Sequence, residues 1–172
     1  MKWQQVLIDS FGRVAKGLEE ALTGLSPSDL DVQPKSDCNS IGWLTWHLTR
    51  NIDAATAWLS GQKQLWLEDS WHAKFNRAPN PGDTGFGQKS EDVTAFKSPE
   101  VEVLLGYHRA VFARAKKYLG SISNKELGRE LNNPAFPTVE ALLVTILSDG
   151  LQHLGQVAYL RGLLKGKGWM NR

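Results

Sequence analysis

Apolar residues recur at intervals of three and four along most of the chain, and no sustained alternation of period two interrupts them. That pattern predicts helices. The first runs from about Trp3 to Thr23, with Val6, Leu7, Phe11, Val14, Leu18 and Leu22 as its stripe, and Ser26-Pro27-Ser28-Asp29 then opens a short turn containing Leu30. The second starts near Ser40, a residue type suited to an N-cap, and runs to Leu59 just before Gly61. Trp43, His47, Arg50, Ala54 and Trp58 share one broad face of it. Ser98-Pro99-Glu100 predicts the start of a third helix, with proline in the first turn, and Val103, Leu104, Tyr107, Val111, Ala115 and Tyr118 carry it to about Gly120. Asn124 suits the cap of a short turn ahead of Asn132-Asn133-Pro134. Thr138 opens a fourth helix that reaches about Leu164, before a glycine-rich end.

Between residues 61 and 98 the pattern breaks. Pro79, Pro81, Gly82, Gly85 and Gly87 exclude a long regular element, leaving one short helix around Ser70 to Arg77. So long a connection is expected to cross a bundle and to cover part of a site. The fold class that follows is all-α: a four-helix bundle with a long crossover between helices 2 and 3. Its 172 residues suit a single domain spanning 1–172.

Composition narrows the function classes. A net charge of +2, without a basic stripe, argues against nucleic acid; Lys165, Lys167 and Arg172 read as a solvated tail. No stretch approaches a membrane span and the N-terminus lacks a signal-peptide core, so a cytoplasmic protein is expected. Cys38 is the only cysteine, which excludes an internal disulfide and any cysteine-based zinc motif. Seven tryptophans are many for this length; Trp43, Trp46, Trp58, Trp66 and Trp71 are expected in the core or as pocket wall around His47. They also motivate the expectation of a homodimer.

The chemistry concentrates on the fourth helix. Leu142, Ile146, Asp149, His153, Gln156 and Leu160 fall on one face, so a carboxylate and an imidazole interrupt a core stripe. Burying them is costly unless they are paired, hydrogen-bonded or bound to an ion. Residues four apart on a helix lie close enough to grip one metal together. His47, within the apolar pattern of the second helix, supplies a third donor. Two imidazoles and one carboxylate suit zinc, nickel, iron or manganese, and three protein ligands leave positions for water or substrate. Spacing and composition alone favour a buried Asp149 to His153 hydrogen bond with no ion. His108 on the third helix and His72 on the crossover are alternate ligands, the first expected to be partly exposed beside Tyr107 and the second to lie on the surface.

Five segments extend this reading: Trp46-His47-Leu48-Thr49-Arg50, the stretch from Leu59 to Trp66, Thr84-Gly85-Phe86-Gly87-Gln88, Gly106-Tyr107-His108-Arg109-Ala110-Val111, and the stretch from Asp149 to Leu163. Together they resemble the DinB-like (YfiT-like) superfamily of metal-binding four-helix bundle proteins, and most of all its actinobacterial-type branch related to mycothiol-dependent enzymes. The resemblance implies a divalent metal, zinc or nickel before others, held by one histidine of the second helix and two of the last. His47 and His153 match two of these positions. Asp149 stands where much of the superfamily has histidine, and it is either an oxygen ligand or a partner that orients His153.

The resemblance also implies a small-molecule substrate and an enzyme that transfers a low-molecular-weight thiol, such as mycothiol or bacillithiol, in detoxification. A bound metal would hold the thiol as thiolate. Trp43, Trp46 and Trp71 are candidates to wall the cosubstrate pocket, with Gln156 and Arg161 as polar contacts. A metal-dependent hydrolase, and a noncatalytic bundle that binds a small molecule or partner, are the alternative readings.

Overall fold

The structure, a computed structural model, describes residues 2–166; Lys167 and Arg172 of the expected basic tail lie outside the described residues. Helices occupy most of the described chain: α1 (Trp3–Leu22), α2 (Pro27–Leu30), α3 (Ile41–Ser60), α4 (Leu65–Glu68), α5 (Trp71–Lys74), α6 (Ser90–Ala95), α7 (Val101–Ser121), α8 (Asn124–Leu127) and α9 (Val139–Lys165). The four long helices are the four that the periodicity predicts, and their ends have local causes. Ser40 accepts the Trp43 N–H at the start of α3, and Gly61 closes that helix with a left-handed φ of 70°. Thr138 caps α9 through the Ala141 N–H, and Ser26 with Asp29 forms a capping box on α2.

One start moves. The α7 helix begins at Val101 rather than at Ser98-Pro99, with Glu100 as N-cap. Ser98 is otherwise engaged: its N–H donates to Asp31 Oδ1 at 2.8 Å, and its side chain sits so close to Gly42 that any Cβ there would meet its Oγ. The end of the crossover is thereby pinned onto the start of α3, and the helix can begin only afterwards. The crossover also holds more helix than the sequence pattern predicts, with α4 and α6 besides a shorter α5.

The bundle is a ring in which α1 packs on α7 and α9, and α3 on α7 and α9. Trp3 bonds Asn124, just past the far end of α7, and Gly12 lies against Phe112, so α1 and α7 are antiparallel. Val14 meets Gly150 while Gly17 meets Leu154, making α1 and α9 parallel. Asn51 pairs with Asp149 and His47 lies against His153, which makes α3 and α9 antiparallel. It follows that α3 and α7 run the same way. Two parallel neighbours cannot be joined by a tight turn, and this is the physical reason for the long crossover.

The core is continuous, with Val14, Leu18, Leu22, Leu30, Ile41, Leu48, Leu104 and Val139 almost fully buried. Each such side chain contributes roughly 1.5–3 kcal/mol over its exposed state. Helix α3 is the central element, buried over most of its circumference. Two expected core positions are corrected: Val6 is 45% exposed and Trp58 48%, each at the outer margin of its helix's apolar stripe. Trp43, Trp46 and Trp66 are buried as expected.

Candidate metal centre

His47, Asp149 and His153 come together across the α3 and α9 interface, with one potential ligand atom of each lying within 4.8 Å of the others. The imidazole rings are 4.9 Å apart, edge to face. His153 Nε2 stands 3.1 Å from Asp149 Oδ1, and His47 Nε2 stands 4.0 Å from the same oxygen. His47 is buried, while Asp149 and His153 are partly open to solvent.

What surrounds the three residues decides their chemistry. His47 Nδ1 lies 2.5 Å from the Thr84 carbonyl, which can only accept, so Nδ1 carries the proton and the Nε2 lone pair faces the cluster. His153 Nδ1 lies 2.7 Å from Gln156 Oε1 and donates to it in the same way. Both rings are therefore held by their outer nitrogen with the inner one turned toward a carboxylate oxygen, as in histidines that ligate metals. Without a proton or a cation between them, the His153 Nε2 lone pair and Asp149 Oδ1 would face each other across 3.1 Å. A tetrahedral ion with donors at about 2.0–2.2 Å would hold those donors roughly 3.4 Å apart, so no pair of the set needs to move by more than about 1.4 Å. The three residues thus fit a divalent ion.

The titration behaviour is consistent with this. Burial carries His47 below the ordinary imidazole value, against the opposing effects of the Thr84 carbonyl and Asp149, which leaves it neutral and able to ligate. Burial also pulls His153 down, but its hydrogen bonds to Asp149 and Gln156 outweigh that and hold it above the ordinary value. For Asp149, burial raises the carboxyl, and the bonds from His153 and Asn51 more than reverse it. In the absence of an ion, a proton shared by Asp149 and His153 occupies the place a cation would take.

The crossover builds the outer wall. Arg50, fully buried on α3, donates through Nε to the Asp83 carbonyl and through Nη2 to the Pro81 carbonyl and Gln64 Oε1. Its Nη1 donates to Asp53 and Tyr107. Arg77 clamps Asp83 through two bonds, the shorter 2.6 Å, and Trp43 Nε1 bonds Gln88. These bonds hold residues 81–88 against α3, so that the Thr84 carbonyl reaches His47. Gly85 is required there: its φ is 89°, and a Cβ would lie 2.8–2.9 Å from Trp43, His47 and Trp46.

The other expected site residues fall in different places. Trp43 stacks on His47 with ring centroids 4.7 Å apart. Trp46 is fully buried, edge-on to Trp43 and tilted against Phe96 and Trp66. Trp71 packs on Gly106 and Tyr107 of α7, with Lys74 over its ring, and has no ring contact with His47. Gln156 holds His153. Arg161 lies eight residues beyond His153, about 12 Å along the helix, with Nε and Nη1 buried and unpaired among the described residues. His108 is corrected from partly exposed to 2% exposed; its Nδ1 pairs with Thr49 Oγ1 and it does not join the cluster. His72 is half-buried against the Arg77 carbonyl rather than on the surface.

Sequence reasoning missed Asn51, which donates to His47 Nε2 at 3.1 Å and to Asp149 Oδ2 at 3.0 Å. Its position four residues after His47, one turn along α3, was the available signal. A cleft of about 340 Å³ opens farther along the same helix pair, bounded by Leu44, Gln156, Tyr159, Leu160 and the loop carrying Cys38.

No protein of curated function matches the chain. A crystal structure described as the conserved protein of a locus from Enterococcus faecalis matches with a TM-score of 0.88 at 28% identity, covering 97% of this chain and 99% of that one. The DinB superfamily model matches residues 10–157, a span that includes α3, the crossover, α7 and the ligand turns of α9. The chain belongs to the DinB superfamily.

Proposed function

We propose that the protein is a divalent-metal-dependent enzyme acting on a small molecule, and that its reaction is the transfer of a low-molecular-weight thiol in detoxification. The observation that carries this reading is the convergence of His47 Nε2, His153 Nε2 and Asp149 Oδ1, with both Nδ1 atoms committed to outer acceptors. A divalent ion held there supplies Lewis acidity, which keeps a thiol as thiolate or a water as hydroxide near neutral pH. Thr84 and Gln156 fix the two tautomers, while Trp43 and Gly85 seal the His47 side from water. The Asp149 side remains partly open, which gives a substrate access. The cleft beside Gln156, with its Leu44 and Leu160 floor, suits the apolar body of a cosubstrate. The mycothiol-related branch, a cytoplasmic location and a symmetric pair of chains belong to the same proposal.

Cobalt-loaded protein titrated with mycothiol or bacillithiol tests it. Sulfur-to-cobalt charge-transfer absorption should appear and be lost in His47→Ala. Hydrolysis of a test ester or amide, with no spectral response to any cellular thiol, would replace the transferase reading by a metal hydrolase that uses the same donors. Absence of both from metal-loaded protein would favour a noncatalytic binding bundle.

A further inference from the structure

Asp149 offers two oxygens, and a carboxylate free to turn can bind an ion through one or both of them. Here the two oxygens are already differentiated. Oδ1 faces both imidazoles, at 3.1 Å from His153 Nε2 and 4.0 Å from His47 Nε2. Oδ2 accepts the Asn51 Nδ2 hydrogen bond at 3.0 Å from the opposite helix. We infer that Asn51 is a positioning residue that restricts Asp149 to one-oxygen donation, so that this carboxylate presents a single ligand atom as an imidazole at the same position would. The inference rests on the metal-binding reading above.

Asn51 has a second, opposing effect. Its amide also donates to His47 Nε2, the lone pair that an arriving ion needs. Removing Asn51 therefore withdraws a competitor as well as a support. The competing bond is worth about fivefold in an equilibrium constant, the usual net value of one hydrogen bond. Loss of an outer-shell partner of a ligating carboxylate costs about 10- to 100-fold in metal affinity. Support outweighs competition, so Asn51→Ala should weaken metal binding by a net factor of about 2 to 20.

The sign of the effect should depend on residue 149. With Asp149→His the donor at that position has no second oxygen to restrain, and only the competition at His47 remains. Asn51→Ala should then leave affinity unchanged or raise it by up to about fivefold. A role for Asn51 in folding alone would not produce that reversal.

Zinc affinity of the untagged protein, measured by competition with a chromogenic chelator, provides the test in four proteins: the natural chain, Asn51→Ala, Asp149→His and the double variant. Asn51→Leu, which keeps the branch at Cγ and leaves no cavity, is measured beside Asn51→Ala so that loss of packing is not read as loss of the hydrogen bond, and circular dichroism establishes that each variant is folded. Weakening by Asn51→Ala and Asn51→Leu with Asp149 present, and none with histidine at 149, is the expected result. Equal affinity with and without Asn51 in the natural background overturns the inference while leaving the metal centre standing. Failure of the natural chain itself to bind zinc overturns the metal-binding reading and the inference with it.

Discussion

Two polar clusters lie a single turn apart on α3, and they end in opposite states. Around Arg50 every donor is satisfied: all five N–H groups of the guanidinium have acceptors in Asp53, Tyr107, Gln64 and the carbonyls of Pro81 and Asp83. Asp53 in turn accepts the N–H groups of Leu65 and Trp66, capping α4, together with the Tyr107 hydroxyl. Around His47 the outer nitrogens are satisfied, while the inner ones converge on a carboxylate, with the Asn51 amide as the neutral donor among them. A closed network has no capacity for a ligand, whereas a set of inward-facing lone pairs does. The first cluster is scaffold and the second a candidate site, although both place charged or titratable side chains in the interior.

The largest expected effect breaks the scaffold. Asp53→Ala leaves the Arg50 guanidinium buried without its counterion and removes the cap of α4, so unfolding in urea should show a loss of about 3–5 kcal/mol. A loss below 1 kcal/mol would mean that the network is not closed in the sense described.

A second effect distinguishes a third buried group, His108. Burial lowers its pKa to about 4, and no charged partner opposes this. The unfolded chain binds a proton near pH 6.5 while the folded one does not. Stability from this residue is therefore complete above pH 6.5 and drains away as pH falls toward 4, by about 3 kcal/mol in all. The fall between pH 7 and 4 should be smaller in His108→Gln by about that amount; parallel pH profiles for the two proteins would refute the assignment.

Smaller still is the effect of Gly85→Ala. Its φ of 89° and the approach of Trp43, His47 and Trp46 make any side chain strained, at a cost of about 1–3 kcal/mol. Metal affinity should fall with it, because the Thr84 carbonyl would be displaced from His47. Unchanged affinity would show that the crossover does not orient this ligand.

The long helices were legible because their stripes are long and their caps are chemically explicit, as at Ser40, Gly61 and Thr138. The start of α7 is not legible locally, because Ser98 serves a tertiary contact with Asp31 and Gly42 that no local pattern records. His47, Asp149 and His153 were readable as polar interruptions of apolar faces. Arg50 and Asp53 interrupt α3 just as visibly, yet their meaning depends on carbonyls more than thirty residues away in the crossover. The spacing of Asn51 from His47 is legible, but its bond to Asp149 is not, since that partner lies 98 residues along the chain. The place of His108 beside Tyr107 in the sequence suggests partial exposure, whereas the packing of α7 against α3 encloses both residues.

The three converging residues are expected to hold one divalent ion. The most direct measurement is the metal content of untagged protein after incubation with zinc and removal of excess, for the natural chain, His47→Ala and His153→Ala. About one ion per chain is expected in the first and loss of that ion in both variants, with helical circular dichroism retained because apolar packing supplies most of the helix stability. No bound ion in the natural chain, or full occupancy in either variant, would contradict it.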